Sequence, residues 1–165
     1  MEREQEFYYA VKENNLDELK ELASSLPDFC QVIRPYDQCL LFHAAQYNSY
    51  EVSEFLIERG CDINEADEEG LSPLHVAVEY NNLKIAELLI RNNAKVDIKD
   101  KHGNTPLSRA VFNYRNDMKM ITLLIAGKAN PFVENNFGSS PYDFALTTKK
   151  DEVIIFFNLM GFEKK

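Results

Sequence analysis

The residues able to cut, transfer or ligate are few in this chain and poorly placed for such work. Its three histidines, His43, His75 and His102, include no HExxH pair to hold a zinc ion and aim a base. Its three cysteines, Cys30, Cys39 and Cys61, are an odd number without metal-site spacing, and are expected as buried reduced thiols. The acidic run from Asp62 to Glu69 superficially resembles a calcium loop. Ala66, however, falls where a ligand is required, and no glutamate closes the loop at the right distance. Gly70-Leu71-Ser72-Pro73 lacks the second glycine of a nucleophile elbow, and no glycine-rich phosphate loop occurs. No catalytic residue, metal site or cofactor is therefore expected.

What positions these residues is a helical pattern, clearest from Gly70 to Asn92. Ser72 followed by Pro73 starts a helix: the hydroxyl accepts an orphan amide hydrogen bond, and proline has no amide to leave unpaired. Leu74, Ala77 and Val78 then share one face, and Asn81-Asn82 breaks the pattern. A second apolar series from Leu83 to Ile90 ends at Asn92-Asn93, which suit a left-handed exit. Two helices this short are unstable alone in water and need neighbours.

The pattern recurs. Ala44, Ala77 and Ala110 lie 33 residues apart, as do Leu41, Leu74 and Leu107. A fixed period of this size means stacked units, each burying its apolar face against the next. Ser72–Ala77, SPLHVA, resembles the ankyrin T-P-L-H-x-A motif; Thr105-Pro106-Leu107 with Ala110, and Ser140-Pro141 with Asp143 and Ala145, are similar to it. Gly60-Cys61-Asp62-Ile63-Asn64 resembles the family's G-A-D-x-N ending. The resemblance covers roughly residues 37 to 162 and implies an all-α, ankyrin-repeat α-solenoid of about five helix pairs with short hairpin fingers.

On this reading one domain spans 1–165: an N-terminal cap repeat over 1–36, inner repeats over 37–69, 70–102 and 103–137, and a C-terminal cap over 138–165 that ends in the polar tail Glu163-Lys164-Lys165. The segment from Leu26 to Tyr36 is longer and less regular than the family's usual connection. Phe42 occupies the place of the motif histidine in the second unit, so His43 is not its equivalent. His75 is, and its expected role is to hydrogen-bond backbone between neighbouring units. The fourth unit carries an insertion, because Ala110 to Leu123 spans 13 positions where Ala77 to Leu88 spans 11. A tolerated surface turn is the simplest account of it, and a purpose-built contact is the alternative. Gly70, Gly103 and Gly138 are spaced as turn residues of the fingers.

Composition narrows the function. Hydrophobic residues make up 45% of the chain, yet no apolar run approaches bilayer length. The acidic opening MEREQEFYY lacks the pattern of a cleaved signal, so the cytoplasm is expected. A net charge of −9 disfavours nucleic acid and favours a basic protein partner, met by a chain that is monomeric when free. The resemblance implies a non-catalytic module that binds protein on a concave face of finger tips and first helices. Carried over through the register, the tips include Tyr36, Gln38, Glu68, Glu69, Leu71, Lys101, His102, Asn104, Asn136 and Phe137. The helix positions are Gln46, Tyr47, Glu79, Tyr80, Phe112 and Asn113, with the aromatics as anchors. One version is an inhibitor or immunity-type protein masking a basic surface. An adaptor or assembly factor is the alternative, and an enzyme with an unrecognised site is the rival of a different class.

Overall fold

The computed structural model describes residues 2–163. Met1, Lys164 and Lys165 lie outside the described residues, so Glu163 alone represents the expected polar tail. Among the described residues there are eleven α-helices and no strand: α1 (Glu2–Lys12), α2 (Leu16–Ser24), α3 (Phe29–Val32), α4 (Leu40–Tyr47), α5 (Tyr50–Glu58), α6 (Pro73–Glu79), α7 (Leu83–Arg91), α8 (Pro106–Phe112), α9 (Lys119–Ala126), α10 (Pro141–Thr147) and α11 (Asp151–Leu159). The expected helix pairs are therefore present, and the fold is an all-helical repeat array. Its contacts divide it into two compact units, one ending at Ala94 and one beginning at Lys95.

In the first unit the leading helices α1, α4 and α6 stack in sequence, and α2, α5 and α7 stack behind them. Leu41, Leu56, Leu74, Ile85 and Leu89 are fully buried, each on the apolar stripe that the spacing predicts. The turn between paired helices is set by an asparagine in the left-handed region: Asn14 at φ 53°, Asn48 at φ 58° and Asn81 at φ 55°. These turns also brace adjacent repeats. The Asn82 side-chain amide donates to the carbonyls of Ala45 at 2.7 Å and Gln46 at 3.2 Å, and the Ser49 hydroxyl donates to Val11 O at 2.6 Å.

The cysteine expectation needs correction for two of the three. Cys30, on α3, and Cys61, just beyond α5, are half-buried and joined in a disulfide with Cα atoms 5.1 Å apart. Cys39 alone is a buried free thiol, and burial pushes its pKa up to about 11. The irregular connection is itself structured. It forms α3 and a 3-10 turn over Pro35–Asp37, with Phe29 fully buried and stacked between Phe7, at 5.5 Å, and Phe55, at 6.4 Å.

In the second unit α8 pairs with α9 and α10 with α11, and α8 packs against α10. Leu107, Leu124, Ala145 and Phe157 are fully buried, with the Tyr142 ring stacked 6.0 Å from Phe157. The inserted turn lies between Phe112 and Lys119 and is used internally. The Tyr114 hydroxyl donates to the Glu152 carboxylate, and the Lys150 ammonium sits 5.5 Å above the Tyr114 ring. That hydrogen bond to Glu152 pushes the Tyr114 hydroxyl up to about 12.

Serine or threonine followed by proline opens α6, α8 and α10, each with a reciprocal capping box. The Ser72 amide donates to His75 Nδ1 at 3.2 Å, and the ring is 1% exposed. Ser108 and Asp143 stand in the same place and accept from the Thr105 and Ser140 amides at 3.2 and 3.3 Å. What this position requires is a short-range acceptor, which explains how serine and aspartate replace histidine there.

Candidate partner-binding face

Each finger is a tight turn rather than a strand ladder. In the finger at residues 67–71, Asp67 Oδ1 accepts the amides of Glu69 and Leu71, both at 2.9 Å, and Gly70 supplies a φ of 75°. One repeat on, Asp100 Oδ1 accepts His102 and Asn104, both at 2.9 Å, with Gly103 at φ 78°. Asn135 Oδ1 then accepts Phe137 at 3.0 Å and Ser139 at 3.1 Å, with Gly138 at φ 71°. Asp67, the centre of the acidic run, is thus engaged as a turn residue. Among the described residues no group of three or more histidine, cysteine or acidic side chains is placed to hold a metal ion.

The earliest finger, residues 34–38, breaks this rule twice. Arg34 stands in the register of Asp67, and Asp37 in that of Gly70. The backbone still turns, with Tyr36 at φ 56° and Asp37 at φ 61°, a region that costs side-chain-bearing residues about 1 kcal/mol or more each. Its restraints come from outside the turn. Arg34 pairs with Glu65 at 2.7 Å, Pro35 O meets His43 Nε2 at 2.9 Å, and Cys30 is tied to Cys61. Burial holds the His43 imidazole below its ordinary pKa, so the neutral ring donates to Pro35.

The tip so formed presents Tyr36, 66% exposed, edge-on to Tyr8 at 5.2 Å. Tyr8 in turn shares a 2.6 Å hydroxyl hydrogen bond with Tyr47, which with burial pushes the Tyr8 hydroxyl up to about 12. Lys12 lies 5.7 Å above the Tyr47 ring and 5.9 Å above that of Tyr9. Gln46 donates to the Tyr80 hydroxyl at 3.0 Å, leaving the Tyr80 ring 54% exposed, and Gln38 donates to Asp67 at 3.3 Å. Glu68, Glu69 and Glu79 are exposed and Leu71 is half-buried. The first unit therefore brings Tyr36 and Tyr47 together through Tyr8, which lies in the N-terminal cap repeat and is not among the candidate residues. Its signal was the run Tyr8-Tyr9 one turn before Lys12.

The candidates of the second unit form their own set. Asn136 donates through its side chain to Lys101 O at 2.8 Å and through its amide to His102 O at 2.9 Å. Asn135 donates to the Asn104 side-chain oxygen at 2.9 Å, so Lys101, His102, Asn104 and Asn136 are joined across adjacent fingers. Phe137 is 80% exposed at its tip. Phe112 is exposed yet leans on Phe144, with ring centroids 5.6 Å apart. Asn113, half-buried, caps α8 at the start of the insertion.

A family model described as ankyrin repeats (3 copies) matches residues 7–100 and 41–136. The chain belongs to the ankyrin repeat family. No curated protein sequence matches it. Ankyrin repeats are protein–protein interaction modules, and the family typically lacks catalytic activity. In this ankyrin protein the finger turns and leading helices carry every candidate residue, and the paired second helices support them. Among the described residues no helix is long and apolar enough to cross a membrane.

Proposed function

We propose that this ankyrin repeat protein is a non-catalytic module that binds a basic protein partner, as an inhibitor or immunity-type protein masking a functional surface. The observation that carries the reading is in the first unit. There Tyr36, Tyr47 and Tyr80 accompany the exposed carboxylates of Glu68, Glu69 and Glu79. Amphipathic rings give contact area at low entropic cost, and surrounding negative charge selects and steers a positive surface. The same charge repels phosphate backbones, and the free chain is read as monomeric in the cytoplasm.

The test is capture of the partner from the native host on the immobilised chain, followed by an activity assay of the captured protein. Stoichiometric loss of its activity as the chain is titrated in is the expected result. A captured protein whose activity is unchanged by the bound chain would replace the inhibitor reading with an adaptor or assembly role.

A further inference from the structure

The earliest finger has neither of the internal determinants that shape the later ones, and the one covalent restraint on its approach is the Cys30–Cys61 bond. Cys30 lies on the four-residue helix α3, four positions before Arg34, whose guanidinium donates to Cys30 O at 2.6 Å. Cys61 replaces an alanine in register with Ala94, at the exit of a helix pair anchored by the fully buried Leu56. The bond therefore ties a short, weakly nucleated element to a rigid one. Arg34–Glu65 is a half-exposed ion pair, of a kind that restrains little.

We propose that Cys30 and Cys61 form a reversible thiol–disulfide site that sets how the Tyr36 finger is presented to a protein partner. Its consequence for binding rests on the reading of the tyrosine face above; its structural test does not. Both sulfurs belong to half-buried residues, whereas Cys39 is buried and stays a protonated thiol. The co-reactant is a low-molecular-weight disulfide of the glutathione class. One cysteine thiolate attacks it, expels one small thiol and leaves a mixed disulfide. The second cysteine then attacks the protein sulfur of that bond, closing Cys30–Cys61 and expelling the second small thiol. Two electrons pass from the cysteines to the small disulfide, and the two thiol protons end on the two small thiols. In the closed form the left-handed Tyr36–Asp37 backbone is held; in the open form α3 frays and the strain is released.

The experiment uses the full chain equilibrated with oxidised glutathione or with a phosphine reductant. Alkylation under denaturing conditions counts free thiols, and hydrogen exchange compares residues 26–38 with α7. The oxidised protein should alkylate at Cys39 alone and the reduced protein at all three cysteines. Reduction should speed exchange over 26–38 by about tenfold and leave α7 unchanged, reversibly on reoxidation. The double variant Cys30→Ser/Cys61→Ser, checked by circular dichroism, should match the reduced protein.

Three results overturn the proposal: a pair that stays reduced in oxidised glutathione, unchanged exchange over 26–38 on reduction, or equal acceleration in α7. The last would mean that the bond staples the whole unit. If exchange responds as stated but the captured partner binds the oxidised and reduced chain equally, the claim that the bond sets presentation to the partner is overturned, whereas the tyrosine-face reading is decided separately by substitutions at Tyr80, Glu68 and Glu69.

Discussion

The finger at residues 67–71 and the finger at residues 34–38 turn at the same place in the repeat by opposite means. In the later one the sequence of the turn suffices: Asp67 gathers two amides, and Gly70 takes the left-handed position at no steric cost. In the earlier one an arginine and an aspartate occupy those places, and a disulfide, an ion pair and a histidine hold the chain in a conformation its own residues resist. Repetition fixes where a finger lies, because the helices on either side stack in register. It does not fix how the finger is held. A turn encoded within itself is hard to adjust from elsewhere, whereas one imposed by remote contacts moves when any of them changes.

The strongest way to sharpen this contrast is to remove an internal determinant and an external one in turn. Burial alone would raise the pKa of Asp100, but the Arg109 guanidinium at 2.8 Å and the Asn104 and His102 amides outweigh it and hold the carboxyl below its usual range. Asp100→Ala should therefore cost about 2–4 kcal/mol by urea denaturation. Arg34→Ala, which breaks a half-exposed pair, should cost about 1 kcal/mol or less. Because the Asp100 pKa is depressed on folding, its contribution is complete above about pH 4, the unfolded value, and is lost as pH falls through the lower folded value. Wild type should accordingly lose stability below about pH 4 more steeply than Asp100→Asn.

Glycine positions give a smaller effect with an internal control. A Cβ at Gly103 would sit 2.6 Å from Asn136 Oδ1 and 2.7 Å from its amide nitrogen, on top of a φ of 78°. At Gly138 nothing lies within 4 Å, and only the backbone penalty remains. Gly103→Ala should cost about 2 kcal/mol or more and Gly138→Ala about 1 kcal/mol, read from denaturation midpoints.

The smallest effect has the opposite sign. Asp37→Gly places the usual residue at φ 61° and should be neutral or stabilise by about 0.5 kcal/mol, after the added freedom of the unfolded chain is deducted. Gly70→Asp should destabilise by about 1 kcal/mol. Equal and unfavourable effects at both positions would erase the distinction between the two fingers.

Much of this fold was legible because repetition multiplies weak signals. One Ser-Pro start is ambiguous, but Ser72-Pro73, Thr105-Pro106 and Ser140-Pro141 in register are not. The burial of His75 and the turn role of Gly70, Gly103 and Gly138 followed from the same register. What escaped was set by contacts that no period encodes. Cys30 and Cys61 lie 31 residues apart with one partner in the irregular connection, so their meeting depends on where Phe29 inserts. The turn role of Asp67 was hidden inside an acidic run, although Asp100 and Asn135 stand in its register. Tyr8 lies in the N-terminal cap repeat, and its hydroxyl bond to Tyr47 requires the stacking of α1 on α4.

The central claim, that the first unit's tyrosines and acidic finger meet a protein partner, is tested most directly by surface-resonance kinetics on the captured partner. Wild type, Tyr80→Ala and the pair Glu68→Lys/Glu69→Lys would be compared at two salt concentrations, with circular dichroism confirming that each is folded. The charge pair should slow association and flatten its salt dependence, since long-range attraction acts on encounter. Tyr80→Ala should leave association nearly unchanged and speed dissociation by about tenfold or more, the loss of one anchor worth about 2 kcal/mol. Wild-type kinetics in both variants, with binding abolished by substitutions at 113–117, would place the interface on the inserted turn and contradict the account.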